Sequence, residues 1–241
     1  MSDKKTTIFS KPLTSQEEAS SLYKYVGVRA KKTARDIYRQ IFESPIDIGG
    51  ILMVTGPVCC GKSTMILEFS SMLDREFLDK RRVGFAQPEV DRVDVPTKVI
   101  FSRDGKQMVC QSFGSKRDIV TLFHDHDVVV IDEIQFAPAN LQSYLVQEIE
   151  MFVERGGWFV GMGLLYTSQM GQFLITRLME ELATKSYHLS STCLMCGRPA
   201  TKACQRLVDG KVAKIDEPEL LSPSSHVTYE ARCNECFVIK K

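Results

Sequence analysis

The sequence predicts an α/β fold, in which a mainly parallel β-sheet is covered by helices and is followed by a small C-terminal subdomain. Short apolar runs alternate with helical patterns between about residues 48 and 190, and such alternation is typical of parallel sheets. From Cys193 onward the pattern changes to short β-like runs with paired cysteines. We therefore divide the chain into an N-terminal helical extension (1–47), an α/β domain (48–190) and a C-terminal subdomain (191–241).

The α/β region is predicted to contain four strands and three helices. Apolar runs predict strands at 51–55, 82–86, 128–132 and 158–162, and apolar residues at helical spacing predict helices at 62–74, 139–154 and 173–184. Residues 88–113 are irregular and polar, which indicates a hairpin or a flexible excursion.

A long helix is expected before the first strand. Thr14 and Glu17 form a capping-box pattern, so the helix is predicted from about residue 15 to residue 43, with a break near Gly27. Its basic residues fit a solvated helix face better than a surface for acidic partners.

Composition excludes several classes of protein. The chain has 241 residues and a formal net charge of +1, which argues against a nucleic-acid or anionic-membrane surface. Its apolar runs are shorter than the roughly 18 to 20 residues that a membrane helix needs. The charged N-terminus has no apolar segment behind it, so we expect a cytoplasmic protein. In a reducing compartment, eight cysteines point to metal binding or free thiols rather than disulfides.

A phosphate-binding loop follows the first predicted strand. Residues 56–63 fit the pattern G-x-x-x-x-G-K-[ST] without a mismatch, between an apolar run and a helix start. Backbone N–H groups and the helix N-terminus would surround the phosphates, Lys62 would reach the β- and γ-phosphates, and Ser63 would bind Mg²⁺. The residues predicted to bind ATP and Mg²⁺ are Gly56, Pro57, Val58, Cys59, Cys60, Gly61, Lys62, Ser63 and Thr64.

The two cysteines inside this loop allow two interpretations. Backbone donors and a helix start favour a thiolate, so Cys59 and Cys60 are candidates for a redox-sensitive pair. Packing of small residues is the simpler alternative, and the sequence leaves both open.

Two carboxylates end the apolar run at 128–131. In phosphate-loop folds the neighbouring strand delivers an Asp beside the magnesium ion, and Asp132 fits that role. Glu133 follows directly and is placed to take a proton from a hydroxyl nucleophile. The simpler alternative for one of the two is capping of the next helix. We predict Glu133 as the catalytic base.

Two C-x₂-C pairs predict a structural zinc site. Cys193 and Cys196 form the first pair, and Cys233 and Cys236 form the second, with 36 residues between the pairs. Four thiolates complete a tetrahedral site and leave no open coordination position, so the metal is expected to be structural. Cys204 lies between the pairs and is expected to be a small buried residue.

Together these motifs resemble the zinc-containing thymidine kinases of the cytosolic vertebrate, bacterial and poxviral type. The resemblance covers about residues 49–238 and rests on the loop G-P-x-x-x-G-K-S-T, the run Ile-Asp-Glu-x-Gln-Phe at 131–136 and the cysteine pairs. Residues 102–105 resemble that family's Ser-x-x-Gly element, and 163–173 occupy the place of its nucleoside loop. Tyr229 stands four residues before Cys233, where the family has a substrate-binding tyrosine.

The resemblance implies a P-loop nucleotide-binding domain with a small C-terminal zinc-bound lasso subdomain that closes over thymine. It implies ATP-dependent phosphorylation of the 5′-hydroxyl of thymidine, with Glu133 as the base, and commonly a homotetramer. The residues it implies for the nucleotide, besides the loop, are Asp132 and Gln135; those for the nucleoside are Phe136, Leu164, Phe173 and Tyr229.

Departures from the family pattern fall mostly on the nucleoside side. Ser168 stands where the family has a Phe that packs on the base, Leu165 replaces an Asp and Gln172 replaces a Pro. Val93 replaces a Tyr, and Ser-Pro-Ser-Ser at 222–225 replaces a glycine-rich turn. The phosphoryl-transfer half of the pattern is intact.

Three functions therefore remain open. The first is a nucleoside kinase whose partners are ATP and a pyrimidine deoxynucleoside, without nucleic acid or membrane. The altered nucleoside loop and the N-terminal helix motivate a second, a catalytically impaired nucleotide-binding subunit or scaffold. The third is an ATPase with a nucleic-acid-binding zinc ribbon, which the near-neutral charge disfavours.

Overall fold

The computed structural model describes residues 16–76, 81–90, 98–102, 105–215 and 226–240. Helices and strands follow one another in these ranges in the order α1 (Gln16–Phe42), β1 (Gly50–Thr55), α2 (Lys62–Glu76), β2 (Val83–Pro88), β3 (Val99–Phe101), β4 (Gln107–Val109), β5 (Gln111–Phe113), α3 (Lys116–Asp125), β6 (Val128–Ile131), a 3₁₀ turn (Ile134–Phe136), α4 (Ala139–Glu154), β7 (Trp158–Gly163), α5 (Leu174–Glu181), β8 (Lys185–His188), β9 (Ser191–Thr192), β10 (Pro199–Ala200), β11 (Ala203–Val208), β12 (Lys211–Val212) and β13 (Val227–Arg232).

Six strands form one parallel sheet in the order β5-β2-β6-β7-β1-β8. The central strands β6, β7 and β1 are buried along their whole length, as expected for a parallel sheet that is covered on both faces. The four predicted strands coincide with β1, β2, β6 and β7 to within two residues. The α/β fold with a central parallel sheet is thus confirmed.

The strand that precedes Asp132 is not the direct neighbour of the strand that precedes the phosphate loop. β7 pairs with β1 on one side and with β6 on the other. The expectation that these two strands are neighbours is therefore wrong. Asp132 still reaches the loop, because the carboxyl ends of all parallel strands meet at one edge of the sheet.

Helices cover both faces of the sheet. On one face, α1 packs beside α2 and contributes Ala30, Ala34, Ile37, Tyr38 and Ile41 to the core. On the other face, α3, α4 and α5 enclose a second apolar cluster. The domain boundary at residue 47 stays a prediction, although α1 shares its core with the sheet.

The long N-terminal helix continues through Gly27 without a break. The expected interruption is wrong, since burial of the following turns offsets the roughly 1 kcal/mol that a glycine costs inside a helix. The Thr14 half of the expected capping box lies outside the described residues.

The segment 88–113 contains an antiparallel hairpin of β3 and β4 before β5 joins the main sheet. The hairpin alternative is therefore confirmed for the described residues of this segment, whereas residues 91–97 and 103–104 lie outside them. The C-terminal residues form two small antiparallel sheets, β9–β10 and β11–β12–β13. Among the described helices, none combines the length and the apolar character needed to cross a bilayer.

Candidate active site

The loop between β1 and α2 has a strained backbone with little space around it. Cys59 (φ 62°) and Gly61 (φ 95°) both adopt the left-handed conformation. A Cβ on Gly61 would lie 2.7 Å from Cγ1 of Val26 on α1, so both the conformation and the close approach require glycine. Met65 N donates to Gly61 O at 2.9 Å, which closes the first turn of α2. The remaining N–H groups of this turn have no partner within the helix and can bind an anion.

Lys62 is folded back onto the loop that carries it. Its Nζ donates to the carbonyl oxygens of Gly56 and Pro57, both at 3.1 Å, and lies 3.7 Å from Cys60 Sγ. The residue is only 7% exposed. Burial opposes its charge, but the electrostatic effects of Cys60 and then Glu133 outweigh burial and raise the pKa of Lys62. A protonated donor is thus held inside the loop.

Ser63 and Asp132 meet although 69 positions separate them in the sequence. Ser63 Oγ donates to Asp132 Oδ2 at 3.1 Å. Asp132 is 3% exposed, and burial followed by the charge of Glu133 raises the pKa of its carboxyl to about 7, against the opposing effect of Lys62. A hydroxyl and a carboxylate oxygen are ligands that Mg²⁺ prefers. These two residues can therefore hold a magnesium ion beside the loop.

Glu133 lies next to this pair at the start of the 3₁₀ turn. Its backbone is left-handed (φ 53°, ψ 40°), and its N–H donates to Asp132 Oδ1 at 3.0 Å. The Glu133 carboxylate accepts a hydrogen bond from Gln135 Nε2, and Gln135 Oε1 accepts one from Leu164 N at 3.1 Å. Asp132 therefore holds the backbone of Glu133, while Gln135 holds its side chain.

Two of the predicted nucleoside residues pack together beside the 3₁₀ turn. The rings of Phe136 and Phe173 meet edge to face, with centroids 6.2 Å apart and planes at 84°. Phe173 N donates to Leu165 O at 3.0 Å, which closes the loop that begins at Leu164. Tyr229 belongs to another element, β13, where it pairs with Arg206 on β11.

Only some of the residues that depart from the family pattern lie in the described ranges. Ser168 is half-buried and Gln172 is exposed in the loop after β7. Val93 and the run 222–225 lie outside the described ranges. Of the Ser-x-x-Gly element, Ser102 and Gly105 are described and lie between β3 and β4, where Gly105 N donates to Ser102 O at 3.0 Å.

The four cysteines of the C-x₂-C pairs form one cluster. The sulfur atoms of Cys193, Cys196, Cys233 and Cys236 all lie within 4.8 Å of one another. Zinc bound at about 2.3 Å to four tetrahedral thiolates separates the sulfurs by about 3.8 Å, so the cluster fits a structural zinc ion. Arg198 Nε donates to Cys196 Sγ at 3.3 Å, which supplies the second-shell hydrogen bond that such thiolates commonly receive.

The cysteine cluster rests against the phosphate loop, a relation that the sequence does not reveal. Val58 packs on an apolar cluster formed by Cys193, Ala200, Ala231 and Cys233, and Ser191 Oγ donates to Cys59 O at 3.2 Å. Cys204 is buried beside the same loop, and burial raises its pKa to about 12. These contacts join residues more than 130 positions apart, so no local pattern could have predicted them.

Comparisons with known proteins agree with this arrangement of motifs. The family model for thymidine kinase matches residues 49–237. A thymidine kinase from Thermococcus kodakarensis is 27% identical over 201 residues, covering 81% of this chain and 98% of that protein. A thymidine kinase from Pyrobaculum aerophilum is 28% identical over 193 residues, covering 78% and 98%.

A comparison with solved structures adds little. The ATPase DotB of Legionella pneumophila matches with a TM-score of 0.33 and 16% identity, over 62% of this chain and 37% of that chain. That likeness is too low to support an argument. The family model, by contrast, spans most of the chain, including the phosphate loop, the two carboxylates and the four cysteines. The chain belongs to the thymidine kinase family.

Proposed function

We propose that this chain transfers the γ-phosphoryl group of ATP to the 5′-hydroxyl of thymidine, giving dTMP and ADP. Membership of the thymidine kinase family supports both the reaction and the substrates. The observation that carries the assignment is the hydrogen bond between Ser63 and Asp132, with Glu133 adjacent. It joins a phosphate loop, a metal-binding carboxylate and a base at one edge of the sheet.

The phosphate side of the reaction depends on the loop 56–63. The phosphates of ATP bind the N–H groups at the start of α2, and Lys62 exchanges its two carbonyl contacts for phosphate oxygens. Ser63 and Asp132 would hold a magnesium ion, which would supply neutralisation of charge on the transferring phosphates. Because Lys62 is already inside the loop, only a short side-chain movement is needed.

The nucleoside side depends on Glu133. Its carboxylate accepts the proton of the 5′-hydroxyl as the oxygen forms a bond to the γ-phosphorus and the bond from that phosphorus to the bridging oxygen of ADP breaks. The hydroxyl must lie within about 3 Å of the carboxylate for this transfer. Phe136, Leu164, Phe173 and Tyr229 are proposed to hold the nucleoside.

The zinc ion is proposed to have a structural role. It would tie the ends of the segment between the two cysteine pairs, and two of its ligands, Cys193 and Cys233, belong to the apolar cluster on which Val58 of the phosphate loop packs. Homotetramer formation and a cytoplasmic location are further parts of the proposal, and both rest on the family resemblance alone.

The alternative of an impaired nucleotide-binding subunit has no support among the described residues. The loop lysine, the serine, the aspartate and the glutamate are all present and share hydrogen bonds or close electrostatic contacts. Neither the match to the family nor the site geometry favours a nucleic-acid-dependent ATPase.

A labelled phosphoryl-transfer assay tests the proposal. Protein, Mg²⁺ and γ-labelled ATP are incubated with thymidine, deoxyuridine, deoxycytidine and purine deoxynucleosides. We expect label on thymidine, at least a 100-fold loss in Glu133→Gln, and wild-type rates in Glu150→Gln, which changes an exposed glutamate of α4. ATP binding without transfer to any nucleoside would refute the kinase assignment and favour the subunit.

A further inference from the structure

Gln135 connects the proposed base to the loop that follows β7. Its Nε2 donates to the Glu133 carboxylate, and its Oε1 accepts from Leu164 N at 3.1 Å. The orientation of the amide is fixed by chemistry, because a backbone N–H can only donate and an ionised carboxylate can only accept. At 5% exposure, the amide makes both bonds with little competition from water.

Gly163 provides the space that this link needs. A Cβ on Gly163 would lie 2.6 Å from Gln135 Oε1, and 3.1 Å from both Ile134 Cγ2 and Thr176 Oγ1. Any larger residue at this position would push the amide away from Leu164 N. The end of β7 is thus shaped to receive the Gln135 side chain.

Among the described residues, Gln135 donates the side-chain hydrogen bond that the Glu133 carboxylate accepts, beside the electrostatic attraction of Lys62. Glu133 is half-buried, and its left-handed backbone is held by the bond to Asp132 Oδ1. A hydrogen bond to a charged carboxylate is about twice as strong as a neutral one. The contact from Gln135 therefore selects one direction for a carboxylate that would otherwise rotate toward solvent.

We propose that Gln135 is a positioning residue that orients the Glu133 carboxylate toward the nucleoside hydroxyl and couples this orientation to the loop 164–173. The inference rests on the proposed function and deepens it. Gln135 acts through Glu133, so it controls the rate of transfer rather than the binding of ATP. A movement of Leu164 when the nucleoside enters shifts the amide, and with it the carboxylate.

Two substitutions at Gln135 separate its two contacts. Gln135→Ala removes both, so kcat falls about 10- to 100-fold, the scale for losing a hydrogen bond to a charged group, and KM for thymidine rises. Gln135→Glu keeps an acceptor for Leu164 N but puts a carboxylate beside Glu133. It therefore lowers kcat similarly and leaves KM for thymidine within about twofold of wild type.

The split between kcat and KM supplies a readout that a folding defect would not give, because a smaller fraction of folded protein lowers the apparent kcat without changing KM for either substrate. KM for ATP stays within about twofold in both variants. Gly163→Ala displaces the amide and repeats the loss of kcat.

The matched control is Gln142→Ala. Gln142 is also half-buried, and its Nε2 donates to a backbone oxygen, that of Ala137, at 2.9 Å. This variant keeps wild-type kinetics. Thermal melts of all variants report folding, and Gln135→Glu and Gly163→Ala keep the test decisive if Gln135→Ala is unstable.

Two results would overturn the inference while leaving the kinase assignment intact. One is a rise in KM for ATP with unchanged kcat in Gln135→Ala, which would make Gln135 a nucleotide-binding residue. The other is wild-type behaviour of all variants at Gln135 and Gly163. A wild-type protein that phosphorylates no nucleoside would overturn both proposals.

Discussion

Asp132→Asn should stabilise the protein at neutral pH while impairing its activity. Asp132 is buried, and burial raises the pKa of its carboxyl from an ordinary value of 3.8 to about 7. The folded state therefore binds more protons than the unfolded chain between about pH 4 and pH 7. The stability due to this group is highest below pH 4 and falls as the pH rises through 7.

The size of the effect follows from the shift. A difference of about three pKa units corresponds to about 4 kcal/mol, which is an upper value for the cost of the buried charge above pH 7. Asparagine has the same shape and no charge. It can still accept from Glu133 N and can donate to Ser63 Oγ. We expect a gain of about 1 to 4 kcal/mol at pH 8 and no gain near pH 4.

Thermal melts of wild type and variant in magnesium-free buffer, from pH 5 to pH 8, measure this gain. Each kcal/mol shifts Tm by about 2 to 4 °C in a chain of this size. The comparison is made at each pH, so effects on the zinc site cancel. Asp47→Asn, at an exposed position, is the control and should leave Tm unchanged. An Asp132→Asn gain that is equal at pH 5 and pH 8, or a loss at pH 8, would refute the reasoning.

Three further substitutions test other parts of the structure. Gly61→Ala places a Cβ 2.7 Å from Val26 Cγ1 at a residue with φ 95°, so the ATP affinity measured by calorimetry should fall at least about tenfold. Adding Val26→Ala removes the clash but should restore only part of the affinity, because the backbone strain of about 1 to 3 kcal/mol remains. Cys233→Ser should abolish zinc binding in a metal assay and lower Tm. Because Val58 packs on the apolar cluster that contains Cys233, the variant should also raise KM for ATP. An unchanged KM for ATP would show that the zinc site does not support the phosphate loop. Ile37→Ala on α1, at 1% exposure, should cost about 2 to 5 kcal/mol in urea unfolding, against less than about 0.5 kcal/mol for the exposed Arg35→Ala.

The parts of the fold that could be predicted are those with a local signal. The apolar runs of β1, β6 and β7 are buried on both faces, so their composition alone identifies them. The phosphate loop and the cysteine pairs need fixed residue types at fixed spacing. These constraints are visible in any single sequence that carries them.

The strand β8 and the helix α3 are not among the elements predicted from the sequence, because β8 has no clear sequence pattern and the pattern of α3 was not used. The edge strand β8 is polar, and two of its four residues are exposed, so it has no apolar pattern to detect. α3 does carry a signal, since Ser115 and Asp118 form a capping box in which Ser115 N donates to Asp118 Oδ2 at 2.9 Å. The pattern S-x-x-D at its start could have located this helix.

Non-local contacts account for the rest of the site. No spacing rule reveals that β7 separates β1 from β6. The same holds for Gln135, whose motif position suggests a nucleotide contact although its hydrogen bonds go to Glu133 and Leu164. The nucleotide contact that the family motif implies for Gln135 stays a prediction, and it competes with the positioning role proposed above.

The phosphate loop is held from two sides by segments that lie far from it in the sequence. Val26 of α1 lies against Gly61. On the C-terminal side, Val58 packs on the apolar cluster that includes Cys193 and Cys233, and Ser191 Oγ donates to Cys59 O. A loop with left-handed backbone at residues 59 and 61 is strained, and it keeps this conformation only if contacts with its surroundings offset the strain. The family match begins at residue 49, yet α1 supplies one of these two supports. α1 therefore supports the phosphate loop as well as covering one face of the sheet.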